Sequence, residues 1–188
     1  MATFTINTTG KKSRILVGEP VSQIADHIPS HAVIITDQLV NDLYSHYWKD
    51  YRTIITGQGE KNKTMAAMEE KLRQLLEFGI DRSGFILGIG GGIVCDIAGF
   101  VASTYMRGIR FGFAPTTLLA QVDASIGGKN GVNFRGYKNM IGTFNQPDFI
   151  LSDPEVLKSL PAEECSNGFA EIVKHALIAD EELFIYIE

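Results

Sequence analysis

Short apolar runs rich in isoleucine and valine alternate along the chain with stretches of helical periodicity. Arg14 to Gly18, Ala32 to Thr36, Thr53 to Thr56 and Phe85 to Ile89 each read as a strand, several of them continuously apolar. Between the last two, Met65, Met68, Leu72, Leu75 and Leu76 recur on one face at helical spacing, and Gly79 follows as a stop. A second helix is expected from about Ile93 to Tyr105, with strands again at Phe111 to Ala114 and Phe149 to Leu151. Asp153 before Pro154 offers an N-cap followed by a proline at the first helical position. Strands that alternate with helices in this way predict the α/β class, a parallel sheet with helices on both faces. Pro161 with Glu163 and Glu164 opens one more helical pattern, carried by Ala170, Val173, Leu177 and Ile178. The sequence reaches Glu188 inside another apolar-periodic stretch.

The segment from Gly84 to Met106 holds one charged residue, Asp96, and is long enough to span a membrane. Its centre, Gly88-Ile89-Gly90-Gly91-Gly92, is a poor start for a lipid-exposed helix, so a buried strand feeding a buried helix explains the apolarity better. No membrane partner is expected, and Met1 to Gly18 lacks the apolar stretch of a secretory signal. With 45% hydrophobic and 21% charged residues the balance is globular, which sets disordered and fibrous classes aside. Cys95 and Cys165 lie far apart without metal or redox spacing, so a disulfide framework is not expected and a reducing cytoplasm is the simplest location.

Net charge is −5, which argues against a nucleic-acid partner. The distribution is uneven. From Ile97 to Pro147 there are five cations (Arg107, Arg110, Lys129, Arg135, Lys138) against the single acid Asp123, while the remainder carries 12 cations against 21 acids. A cationic, glycine-containing segment in an acidic protein suggests a pocket for a small anion such as a phosphate; a solvated face is the plainer explanation of charge alone.

The strongest local chemistry is the strand running into Gly88-Ile89-Gly90-Gly91-Gly92 and a helix with Asp96 in its first turns. Glycines let a phosphate approach the backbone, and a helix N-terminus presents N–H groups and a positive dipole end. The dinucleotide frame G-x-G-x-x-G is nevertheless broken: its last glycine is Ile93 when counted from Gly88 and Cys95 when counted from Gly90. A tight turn explains these glycines about equally well. Further on, Asp123 to Lys129 ends in a lysine on a glycine turn without being a Walker A loop, and Lys138-Asn139 follows nine residues later. Thr116-Thr117 after Pro115 closes a strand, where hydroxyls commonly face a ligand. Glu171 and His175 stand at i and i+4, one helical face, where either an ion pair or two metal ligands are conceivable.

Four stretches together resemble the 3-dehydroquinate synthase family: GGGIVCDIAGFVASTYMRG from Gly90 to Gly108, PTTLLAQVDASIGGK from Pro115 to Lys129, YKNMIG from Tyr137 to Gly142, and GFAEIVK from Gly168 to Lys174. The resemblance runs in order from Asp37 to Glu171. It implies a Rossmann-like NAD-binding domain over residues 1–160 and, over 161–188, the first helix of a mainly helical metal- and substrate-binding domain. On that reading the chain is roughly half of an enzyme, inactive alone, and two histidines that complete the metal site lie in the other half.

The implied activity is a lyase of the shikimate pathway, in aromatic amino acid and chorismate biosynthesis. It converts 3-deoxy-D-arabino-heptulosonate 7-phosphate to 3-dehydroquinate and phosphate by transient oxidation, phosphate elimination, re-reduction and aldol cyclisation. The cofactors are NAD and a divalent metal, zinc or cobalt, the substrate a phosphorylated sugar acid, and the full-length assembly a homodimer. Carried over by position, Asp37, Glu60 and Lys63 fall on the adenosine side. Gly91, Gly92 and Asp96 belong to the pyrophosphate turn, with Thr116, Thr117, Leu119 and Ser159 as further cofactor contacts. Arg107, Asp123, Lys129, Lys138, Asn139 and Lys174 match substrate-binding positions, with Lys129 and Lys138 also near NAD. Glu171 matches a metal ligand.

The chain departs from the family pattern at Cys95, where a glycine is usual, at Phe134-Arg135-Gly136-Tyr137, where His-Pro-x-Gly is usual, and at His175, where tyrosine is common. A related sugar-phosphate cyclase making an inosose or a valiolone shares these motifs. An NAD-dependent polyol dehydrogenase of similar fold would not need Arg107 and the Lys129/Lys138 pair as a phosphate clamp. A non-catalytic NAD-binding module is the remaining alternative for the isolated chain.

Overall fold

A computed structural model describes residues 1–8 and 10–188. The strands in chain order are β1 (Ala2–Thr8), β2 (Lys11–Val17), β3 (Val33–Asp37), β4 (Arg52–Thr56), β5 (Phe85–Gly90), β6 (Arg110–Pro115), β7 (Lys129–Phe134), β8 (Tyr137–Phe144) and β9 (Phe149–Ser152). The helices are α1 (Gln38–Tyr44), α2 (Met65–Glu77), α3 (Gly92–Thr104), α4 (Ala162–Ala179) and α5 (Glu181–Ile187). Seven strands make one sheet in the order β1-β2-β9-β6-β5-β3-β4, parallel from β2 to β4, with β1 added antiparallel at the edge. The strands β7 and β8 form a separate antiparallel hairpin.

The chain leaves β3 for β4 on one side and returns to β5 on the other. Parallel crossovers are right-handed, so helices taken in opposite directions settle on opposite faces. Alternate residues of the central strands divide accordingly. Phe85, Leu87 and Ile89 pack with Val40 of α1, Ile24 and Trp48; Ile86 packs with Met68 and Leu75 of α2 and with Ile97 and Val101 of α3. The carboxyl ends of β3 and β5 therefore diverge around a crevice, the topological switch point where doubly wound sheets bind ligands.

Helix α3 is buried along most of its length because it is covered twice, by the sheet and by the β7–β8 hairpin. Val132, Ile126 and Ile141 join its cluster. The approach is close enough that a Cβ on Gly99 would lie 1.8 Å from Asn130 Oδ1. This accounts for the charge-poor segment from Gly84 to Met106: it is strand β5 and helix α3 in the protein interior, and no helix among the described residues is long and apolar enough to cross a membrane.

The expected central strands form within one or two residues of the positions read from the sequence. Two expectations are corrected. The face of α2 is Met68, Lys71 and Leu75, while Met65 and Leu76 are exposed, since only a narrow stripe reaches the sheet. Asp153 and Pro154 open a 3-10 turn, Pro154–Ser159, rather than an α-helix; the Asp153 carboxylate accepts from the N–H groups of Glu155 and Val21, both at 2.9 Å. The last apolar stretch is the distinct helix α5, set off from α4 by Asp180, whose side chain accepts from Leu183 N.

The departure at Phe134-Arg135-Gly136-Tyr137 is the hairpin turn itself. Phe134 pairs with Tyr137, and both residues between have positive φ, 47° at Arg135 and 86° at Gly136, as a two-residue type I′ turn demands.

Candidate active site

The crevice is a cleft of about 660 Å³ at the carboxyl ends of the strands. Of the residues assigned to the cofactor by sequence, it is lined by Asp37, Glu60, Lys63, Gly91, Gly92, Asp96, Thr116, Thr117, Leu119, Lys138 and Ser159; Lys129 lies outside it. Most arrive from a strand end or the turn after it, while Asp96 stands in the second turn of α3 and Lys138 in β8. Asp37 closes β3 and caps α1 by accepting from Val40 N at 2.9 Å. Gly91 is the N-cap of α3 and Gly92 its first residue, so the helix N-terminus opens on the cleft. Thr117 follows β6 and its Oγ1 accepts from Ala120 N at 3.2 Å, starting the π-helical turn Ala120–Ala124. The Ser159 hydroxyl sits on the rim, 2.7 Å from the Tyr44 hydroxyl.

At the floor of the cleft lies a polar network. The Lys63 ammonium, 3% exposed, donates to Asp96 Oδ2 and to Asn139 Oδ1. Burial raises the Asp96 carboxyl above the ordinary carboxylate range, while Lys63 and the Gly131 N–H oppose the rise. Asn133 Nδ2 donates to Glu60 Oε1 at 2.8 Å and Asn133 Oδ1 accepts from Asn139 N at 2.9 Å. Cys95 points the other way. Its thiol is buried in the α3 core, donates weakly to Gly90 O at 3.9 Å and is raised in pKa by burial, so its extra bulk is accommodated behind the turn.

A second cleft, of about 470 Å³, adjoins the first through Asp96, Ala124 and Asn139, and adds Asp123 and Lys129. Helix α4 faces Asp123. Its Gly168 presses on the segment after β6 so tightly that a Cβ there would lie 2.5 Å from Leu119 N. Nearly two turns on, Lys174 Nζ stands 3.8 Å from Asp123 Oδ2 and pairs with Glu171, and His175 Nε2 stands 3.4 Å from Asp123 Oδ1. The Glu171 carboxylate raises the Lys174 pKa. Asp123, Glu171 and His175 offer three donor atoms within 4.8 Å of one another, so His175, where the family commonly has tyrosine, stands beside Glu171. Gly168→Ala is expected to destabilise the protein by about 1–3 kcal/mol, because backbone cannot yield as a side chain can. The same change should loosen α4 from Asp123. Chemical denaturation and the amide exchange of α4 read the two effects.

Arg107 is placed apart. It is exposed and follows α3 at the end away from the cleft, and a helix of 13 residues is about 20 Å long. Met106 and Arg107 both have positive φ there, 49° and 70°. Sequence reasoning missed Thr56, Asn133 and the hairpin's role. Thr56 is 2% exposed, lines the cleft, and its hydroxyl lacks a hydrogen-bond partner. Its signal was available: it closes β4 in register with Asp37.

Fold and clefts together define a doubly wound α/β protein whose ligand crevice lies at the switch point of the sheet and whose polar groups converge on two joined pockets. Residues 53–167 match the family described as 3-dehydroquinate synthase N-terminal. A 3-dehydroquinate synthase of Ruminiclostridium cellulolyticum is 40% identical over 200 residues, which covers 100% of this chain and 56% of the relative. Among solved structures, 2-epi-5-epi-valiolone synthase from Streptomyces hygroscopicus subsp. jinggangensis 5008, with NAD+ and Zn2+ bound, is 32% identical with a TM-score of 0.83, over 98% of this chain and 54% of that one. A 2-deoxy-scyllo-inosose synthase complexed with carbaglucose-6-phosphate, NAD+ and Co2+ is 28% identical with a TM-score of 0.84, over 94% of this chain and 52% of that one. The chain belongs to the 3-dehydroquinate synthase family. It spans about half the length of the curated relatives it matches.

Proposed function

We propose that the chain is the NAD-binding half, residues 1–160 with the start of the following domain at 161–188, of a 3-dehydroquinate synthase. The observation that carries the cofactor reading is the cleft itself: a glycine-lined helix N-terminus, Asp37 at the end of β3 and the orphaned buried hydroxyl of Thr56 face one volume of dinucleotide size. A buried hydroxyl without a partner is destabilising, and a ligand polar group in the cleft satisfies it. Bound there, NAD supplies a hydride acceptor and donor for one ring hydroxyl of the substrate. The N–H groups at Gly91 and Gly92 take the pyrophosphate, Asp37 takes a ribose hydroxyl, and Lys63 holds Asp96 and Asn139 in place.

The second cleft takes the substrate. Asp123 accepts a hydroxyl proton, Lys129 and, from the adjoining first cleft, Lys138 bind anionic groups, Asn139 orients the ring, and Lys174 meets a substrate carboxylate. Glu171, with His175 beside it, fits a divalent metal such as zinc by donor type, and the metal supplies polarisation of the hydroxyl being oxidised. Its remaining ligands belong to the other half of the enzyme. The exposed apolar residues Leu177, Ile178, Ile185 and Tyr186 of α4 and α5 suit a face covered by that half. Two free cysteines agree with a reducing cytoplasm.

The position of Arg107 favours a homodimer in which each copy lends this cation to the phosphate bound by its partner. Arg107→Ala should therefore inactivate the full-length enzyme. Mixing it with Asp123→Asn protomers should restore activity in one site of each mixed dimer, detected as phosphate release; no restoration would place Arg107 outside the substrate site. The cofactor reading is tested by calorimetric titration of NAD into the 188-residue chain. Saturable binding that Lys63→Met abolishes is expected, and no binding would overturn it.

A further inference from the structure

We infer that Asn133 is a positioning residue that joins the cofactor loop to the Lys138–Asn139 segment, so that a dinucleotide in the first cleft orders Asn139, which lines both clefts. The inference rests on the NAD reading of the first cleft. The β7–β8 ladder runs from Lys129 opposite Phe144 to Val132 opposite Ile141, then resumes at Phe134 opposite Tyr137. Three residues of β8, Lys138, Asn139 and Met140, thus stand against the single residue Asn133. Such a bulge lifts residues off the ladder and re-aims them, and bulges occur preferentially beside active sites. Asn139 at its centre has φ 52°, a left-handed conformation that asparagine tolerates better than most residues.

Released from its own strand partner, Asn133 bonds in two directions. Its N–H donates to Lys63 O at 2.7 Å and its Nδ2 to Glu60 Oε1 at 2.8 Å, both in the segment between β4 and α2. Its Oδ1 accepts from Asn139 N at 2.9 Å, in the bulge. Asn133 itself lines neither cleft, so it acts through the three residues that it holds. The chain Glu60–Asn133–Asn139 runs through one planar amide, whose Nδ2 is held by Glu60 and whose Oδ1 holds a backbone N–H in a left-handed turn. Fixing Glu60 against a ligand fixes the amide plane of Asn133, and with it the backbone that carries Lys138 and Asn139.

Amide exchange measured by NMR on the 188-residue chain, with NAD as the probe, tests the link. In the native chain NAD should slow exchange at the Asn139 amide about tenfold; in Asn133→Ala it should slow it by less than about twofold. Asn133→Asp separates the two arms, because it keeps an acceptor for Asn139 N–H but sets a carboxylate against Glu60. That variant should retain the ligand-free protection of Asn139, lose the part added by NAD, and bind NAD about tenfold more weakly. It also carries the test if the alanine variant does not fold. An equal response to NAD in native and variant chains would overturn the inference. If the native chain shows no calorimetric binding of NAD, the cofactor reading fails separately. The link is then decided in the ligand-free state, where Asn133→Ala should exchange the Asn139 amide about tenfold faster and equal rates would refute it.

Discussion

Lys63→Met should remove about 3 kcal/mol of stability and abolish NAD binding. The ammonium of Lys63 is buried against Asp96, whose side chain is 21% exposed, and methionine keeps the stem while leaving that carboxylate without its counter-charge. The pH dependence gives the loss a signature. Burial already raises the Asp96 carboxyl in the native protein, so between its unfolded and folded pKa the native state holds a proton that the unfolded chain has released. Stability contributed by this group therefore falls as pH rises through that window and stays lowered above it. Without Lys63 the folded pKa rises further, and the deficit of the variant should be largest near neutrality and shrink on acidification. Urea denaturation at several pH values measures it. A deficit independent of pH would mean that the lysine stem, not its charge, supports the fold.

Asp123→Asn should have the opposite profile, with turnover of the full-length enzyme falling by about 10²–10⁴ and folding stability changing by less than about 0.5 kcal/mol. Asp123 sits on the π-helical turn with a half-exposed side chain. Its ion pairs with Lys174 and His175 are loose and solvated, of the kind that contributes little to stability. Asparagine keeps its shape and one acceptor oxygen but cannot take a proton. Steady-state phosphate release and thermal unfolding read the two quantities. A variant that unfolds early while turning over normally would make Asp123 a structural residue.

The parts of this molecule visible in its sequence are those with strong local signals. Strands β3, β5 and β6 are largely apolar because they are covered on both faces, and α2 and α3 announce themselves by their apolar residues and by Gly79 and Gly91 at their ends. The edge strand β1 was missed although Ala2, Phe4 and Ile6 alternate with Thr3, Thr5 and Asn7 at strand spacing, because that short apolar face lies exposed on the sheet edge and adds no continuous apolar run. Helix α1 was missed because it has only seven residues, and Asp37, its N-cap, was read for its chemistry instead. The β7–β8 hairpin hid behind a polar, glycine-rich stretch whose register is set by packing on α3.

The same division holds for the site. Motifs named many of the residues that line the two clefts, though not Thr56, and the family resemblance told which chemistry to look for. Motifs could not show that Arg107 follows the C-terminal end of α3 and lines neither cleft, a placement fixed by the direction of α3. Nor could they show Asn133, whose partners Glu60, Lys63 and Asn139 are reached only through a bulge.

The most direct measurement is phosphate release from 3-deoxy-D-arabino-heptulosonate 7-phosphate, with NAD and zinc, by the full-length protein beside the 188-residue chain. Release by the full-length protein that requires NAD, with none from the 188-residue chain, is the predicted result. No release by the full-length protein, while another sugar phosphate is cyclised, would contradict the synthase assignment and move it to a related cyclase.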